Sequence, residues 1–142
     1  MNGSGWERFD AEADPGVRGW GATRGEAFAQ AAQGVFALLV GPDEVQARER
    51  REVRAQAEGP EALLAAWIDE CLYVHEVEGF VARSVDMSHC TDTLAHGVLH
   101  GEPLDPARHR VGTAVSGAVS HRATVDVREG RHEACIVFLS LK

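Results

Sequence analysis

The clearest helical period in the chain runs through PEALLAAWIDECLYVHEVEG, where Leu63, Leu64, Trp67, Ile68, Cys71, Leu72 and His75 recur three and four residues apart. This is the spacing of one apolar helix face, and Pro60 suits its first position. A second helix is expected in TRGEAFAQAAQGVFALLVGP. Thr23 and Glu26 have capping-box spacing there, Phe28, Ala31, Ala32, Val35 and Leu39 form an apolar stripe, and Gly41-Pro42 ends the period. Strands show the period of two instead. REVRAQA, Arg51 to Ala57, alternates polar and apolar positions, and VRGWGA, Val17 to Ala22, is a short strand expected to pair with ERFDA through a turn at Asp14-Pro15-Gly16. Beyond Phe80 the helical period vanishes. FVARSVDMSHC, TLAHGVLHGE, TAVSGAVSHRATVDVR and HEACIVFLSLK then read as strands, parted by turns at Thr91-Asp92, Pro103 to Gly112 and Glu129-Gly130. The last carries Ile136 and Phe138 on one face and Val137 and Leu139 on the other, the mark of a central strand covered on both sides. The fold class that follows is α+β: two helices packed on largely antiparallel sheet, in a single domain over residues 1–142.

Composition narrows the function classes. The 142 residues are 44% hydrophobic, enough for one core, and the formal charge is −8. Such a surface repels phosphate and gains nothing from counterion release, so direct nucleic-acid binding is not expected. Cations, or the basic face of another protein, are the partners such a charge suits. No apolar run is long enough to span a membrane, and MNGSGWER has neither the basic nor the apolar region of a secretory signal, so a cytoplasmic protein is expected. Cys71, Cys90 and Cys135 are odd in number and widely spaced, which fits buried thiols in a reducing compartment better than disulfides. Thirteen arginines to one lysine look like codon bias.

Most motifs that suggest catalysis dissolve on inspection. Cys90, His96 and His100 can be written as a zinc triplet, yet residues i and i+4 of a strand lie about 13 Å apart, too far for two ligands of one ion. His75 falls on the apolar face of its helix, where a satisfied imidazole is the simpler reading. Ser116, Ser120 and Ser140 lie in strands and none sits in a nucleophile elbow, while GWGATRG has the wrong glycine spacing for a phosphate loop. ARERREVR is interrupted by Glu49 and Glu52 and reads as a solvated approach to a strand. Asp10 and Asp14, four apart near a proline and glycine, offer oxygens of the kind calcium or magnesium takes. Asp also caps turns through backbone N–H groups, so residue type alone leaves both roles open.

The same stretch, WERFDAEADPGVRGWG, resembles without gaps the opening signature of the archease family, Y-E-x-x-D-H-T-A-D-x-G-I-x-A-x-G. TRGEAFAQAAQGVFALLV is similar to the family's first helix, EALLAAWIDECLYVHEVEGFV to its L-L-x-x-W-L-x-E-L-L-Y segment with the E-G-F that follows, and GEPLDPARHRVGTAVSGAVSH to its G-E-x-x-D-P-x-x-H-x-x-x-T-x-V-K-A-V-T stretch. The resemblance covers nearly the whole chain in the family's order. It implies a protein cofactor rather than an enzyme: a partner of the GTP-dependent RNA ligase of tRNA splicing and RNA repair, promoting guanylylation and turnover of that ligase. It also implies a metal site, most often calcium, which by position falls to Asp14, Ser140 and the carbonyl of Leu141.

The departures fall at three places. Ala11 and Glu12 replace its His and Thr, GAVS (Gly117 to Ser120) stands where the family has K-A-V-T, and Ser140 stands where it has its C-terminal Asp. A hydroxyl brings no charge to offset the desolvation of a cation, so the implied metal site is weakened. Glu12 is the candidate to make up the lost carboxylate, since strand alternation would place it on the side of Asp10 and Asp14. Two functions are therefore expected to compete, a ligase activator with Asp14 as its acidic contact and an interaction module that has lost both metal and ligase. Hydrolysis of a small phosphate ester is the third, with no base and nucleophile pair to carry it.

Overall fold

The computed structural model describes residues 3–11, 14–109 and 120–138. Two antiparallel sheets enclose two helices. One sheet has the order β1-β2-β7-β6, from Gly5–Ala11, Asp14–Gly21, Arg131–Phe138 and Ser120–Arg128; the other has the order β3-β5-β4, from Glu49–Gln56, Leu94–Pro103 and Phe80–Cys90. The expected α+β class with two helices is the observed one.

Helix α1, Arg24–Leu39, starts where the capping-box spacing placed it. The Thr23 hydroxyl accepts the Glu26 N–H at 3.1 Å, and Glu26 reaches back to the Ala22 N–H at 3.3 Å. The single apolar stripe expected of α1 is too narrow, because Ala27, Ala29, Phe36 and Leu38 are buried as well. The helix is wedged between β2 and β7 on one side and β4 on the other, so little of its circumference meets water. Close approach to β2 depends on missing side chains: a Cβ on Gly19 would come within 2.4 Å of the Ala31 backbone nitrogen, and one on Gly34 within 2.4 Å of Val17.

Helix α2, Pro60–Glu78, buries Leu63, Leu64, Trp67, Ile68, Cys71 and Leu72, the face its period predicted, and packs on β6 and β3. Trp67 joins the helices by donating its indole N–H to the Phe28 carbonyl at 3.1 Å. Its ring is fully buried, in the same core cluster as Phe28, Phe36, Phe80 and Phe138. The turn expected at Glu129-Gly130 is present, with φ of 51° and 78° at its two residues, the primed geometry that suits a two-residue hairpin.

Two local expectations fail. Asp14, Pro15 and Gly16 do not form the first turn; they are the opening residues of β2, opposite Ala11, Asp10 and Phe9 of β1. Pairing along the whole hairpin outweighs the local preference of Asp-Pro-Gly, and Pro15, which has no N–H to give, lies just before the first β2 residue paired with β7. β7 is central, as expected, but only partly covered on its outer side: Val137 is buried, whereas Glu133 and Cys135 are half-buried because both helices pack on the other face.

Candidate functional site at the head of strand β2

The register of the four-stranded sheet decides where the predicted acidic residues point. Gly16 lies opposite Phe9, and a Cβ there would enter the Phe9 ring, while Val17 meets α1 through Gly34. Alternation along β2 therefore sends Asp14, Gly16, Arg18 and Trp20 to the outer face and Val17 and Gly19 toward the helices. Asp14 is half-buried on that outer face. Asp10, opposite Pro15, leaves the sheet on the other side, exposed and 3.9 Å from Arg8. Asp10 and Asp14 thus do not share one side, since the chain reverses between them.

β7 runs antiparallel to β2 with Val137 opposite Gly16, so Phe138 sits at the Asp14 end of the strand pair. Glu12, Ser140 and Leu141 lie outside the described residues, as does Gly117. Among the described residues no three His, Cys, Asp or Glu side chains converge to hold a metal ion.

The drawn zinc triplet does not assemble. Cys90 pairs with Ala95 on the helix-facing side of β5, whereas His96 and His100 alternate to the opposite side. There His96 meets Glu52 at 3.2 Å, His100 meets Asp86 at 3.0 Å, and the His89 ring stacks on His96 with centroids 6.4 Å apart. His75 is the satisfied imidazole expected of it, with Nδ1 2.9 Å from the Phe80 carbonyl. Arg51, in the locally basic run, is held by Glu49 and Glu78 at 3.0 and 2.7 Å.

A polar cluster escaped the sequence reading. Glu102, at the end of β5, is fully buried, and its carboxylate accepts from the Gln46 N–H at 2.9 Å, Arg108 at 2.6 Å and His109 at 2.9 Å, with Arg48 at 3.3 Å. The Asp105 N–H donates to His109 Nδ1 at 2.8 Å. That nitrogen accepts, and Nε2 on the other side of the ring donates to Glu102. Burial pushes the Glu102 pKa up, but the Gln46 amide, Arg108 and His109 outweigh it and bring the pKa down to about 2. In the sequence this cluster shows as the G-E-x-x-D-P-x-x-H spacing, with Glu102 and His109 seven apart across Asp105-Pro106. The cluster ties residues 103–109 to the approach to β3.

Comparison with known proteins agrees with this architecture. The model of the archease protein family (MTH1598/TM1083) matches residues 6–138. The chain is 45% identical over 138 residues to the protein archease of Thermococcus gammatolerans and 31% identical over 136 residues to that of Pyrococcus abyssi, each alignment covering 93% of this chain and 96% of the relative. The solution structure of protein 1598 from Methanobacterium thermoautotrophicum shares the fold with a TM-score of 0.72 at 26% identity, over 94% of this chain and 97% of that one.

Proposed function

The chain belongs to the archease family, and on that premise we propose that it is a protein activator of the GTP-dependent RNA ligase of tRNA splicing and RNA repair, with Asp14 as its principal acidic contact. The observation that carries this reading is the β2–β7 register. It brings the end of β7, just before Ser140 and Leu141 in sequence, to the strand end that begins with Asp14. Asp14 stands there on the sheet face opposite the one on which α1 and α2 pack.

The charge of −8 supports the same assignment. An acidic protein is suited to meeting a basic nucleotide-binding surface and ill suited to holding RNA itself. The ligase then supplies the nucleophile, and this protein acts without chemistry of its own. A divalent cation, calcium by family resemblance, fits a donor set of Asp14, the Ser140 hydroxyl and the Leu141 carbonyl only as a weak site, because one carboxylate offsets little of the desolvation of the ion. Glu12 is the carboxylate in sequence nearest to Asp14 that is able to strengthen it.

The test is multiple-turnover guanylylation of the ligase from the same genome, with and without this protein. Stimulation that Asp14→Ala removes is expected; no stimulation by the wild-type chain refutes the activator role. Ala11 and Ser140 favour the second reading, an interaction module that has lost its metal. Calorimetric titration with calcium or manganese separates the two, since binding heat that disappears in Asp14→Asn is the signature of a live site.

A further inference from the structure

We infer that the outer face of the β1-β2-β7-β6 sheet is the surface that docks on the ligase, with Phe9 and Trp20 as its anchors. This rests on the activator reading and adds to it the footprint of the partner. Asp14 leaves the sheet on this face, so any partner that touches it approaches from the same side and meets the side chains beside it. Both helices pack on the opposite face.

The face is built for contact. Phe9 packs against Gly16, where a Cβ would be 2.6 Å from the ring, and Trp20 packs against Gly5, where a Cβ would be 2.9 Å away. Both rings therefore sit against backbone that carries no side chain. Arg18 sits 5.2 Å from the Phe9 centroid and Arg131 sits 4.8 Å from that of Trp20. Each arginine is held in turn by a carboxylate, Glu7 at 2.5 Å and Glu133 at 2.7 Å. Half-buried aromatics and arginines inside a rim of paired charge are the composition of a protein-interface core. The same pairing argues against RNA as the occupant, because guanidinium groups already neutralised by Glu7 and Glu133 release no counterions to a phosphate backbone. On the activator reading the occupant is the ligase, since a protein that binds GTP and RNA needs basic surface, and the acidic Asp14 complements such a surface.

The experiment titrates full-length protein into the purified ligase, measuring affinity by interferometry and guanylylation rate against activator concentration. Trp20→Ala is expected to raise the dissociation constant and the half-saturating concentration by about tenfold or more, and Arg131→Ala by about threefold, as for an anchor and its support, with the plateau rate retained. Asp14→Ala is expected to lower the plateau. Arg50→Ala with Arg54→Ala, on the other sheet, changes neither. The docking face is overturned if folded Trp20→Ala and Arg131→Ala both bind within about twofold of wild type, or if the face binds an RNA oligomer without ligase. Loss of Asp14-dependent stimulation in the wild-type chain instead refutes the activator reading and this inference with it, whereas Asp14 dependence with silent Trp20 and Arg131 variants refutes the docking face alone.

Discussion

Replacing Glu102 by Gln isolates one charge in the interior. The side chain is fully buried and its two oxygens face four donors, the Gln46 amide, Arg48, Arg108 and His109. An amide has one oxygen and one NH₂, so in either orientation a buried donor confronts another donor, and both arginines lose their counter-charge. Each buried donor left unpaired costs about 1–3 kcal/mol, while Arg48 and Arg108 reach solvent and keep their hydration, so Glu102→Gln is expected to lower stability by about 1–3 kcal/mol. In a domain of this size that corresponds to a fall in Tm of about 4–10 °C. The pH dependence carries its own sign. The folded-state pKa of about 2 lies below the ordinary 4.5, so the contribution of Glu102 is complete above about pH 4.5 and declines as the pH falls from there toward 2. Thermal melts by circular dichroism in steps from neutral pH downward should show the gap between wild type and variant narrowing through that window. A gap that stays constant with pH, or a variant that melts with the wild type, contradicts the buried-carboxylate account.

Other consequences follow from packing and burial. Gly19→Ala places a methyl group against the Ala31 backbone, where neither element yields easily, and is expected to cost about 1–3 kcal/mol in chemical denaturation. Trp67→Phe keeps most of the apolar volume but strips the Phe28 carbonyl of its indole donor; a loss of about 1–3 kcal/mol is expected, and an unchanged midpoint would show that the hydrogen bond contributes nothing. Burial pushes the Cys71 thiol well above its ordinary range and the Cys90 thiol up to about 11, with Arg24 opposing the second shift. Mass spectrometry after iodoacetamide treatment at neutral pH should find both unmodified in the native protein and both modified in urea.

Much of this fold was readable because the hydrophobic period and the tertiary environment agree. In α2 the recurrence of Leu63, Leu64, Trp67, Ile68, Cys71 and Leu72 matches the buried face, and the cap at Thr23 is a local interaction that sequence spacing alone specifies. Where environment and local preference disagree, reading from sequence fails. Asp14-Pro15-Gly16 has turn composition, yet the pairing of β1 with β2 pulls it into a strand and turns Asp14 and Asp10 to opposite faces. The second cover on α1 comes from β4, an element forty residues downstream, so its apolar width was not visible in the helix period itself. The Glu102 cluster is harder still. It unites residues 46, 48, 102, 108 and 109, whose meeting depends on where β3 and β5 pair; the G-E-x-x-D-P-x-x-H spacing holds Glu102 and His109 but does not say that they meet, or that residues 46 and 48 join them. Asp14 was found by its place in a signature, and the structure adds the face it occupies and its neighbour at the end of β7.

The central claim is that one carboxylate at the head of β2 makes this protein an activator, and Asp14→Asn, which removes charge while keeping shape, addresses it most directly. In multiple-turnover guanylylation of the partner ligase at saturating activator, the account predicts clear stimulation by the wild-type chain and a fall of about tenfold or more for the variant, a loss of at least about 1.4 kcal/mol. Full stimulation by Asp14→Asn would contradict it.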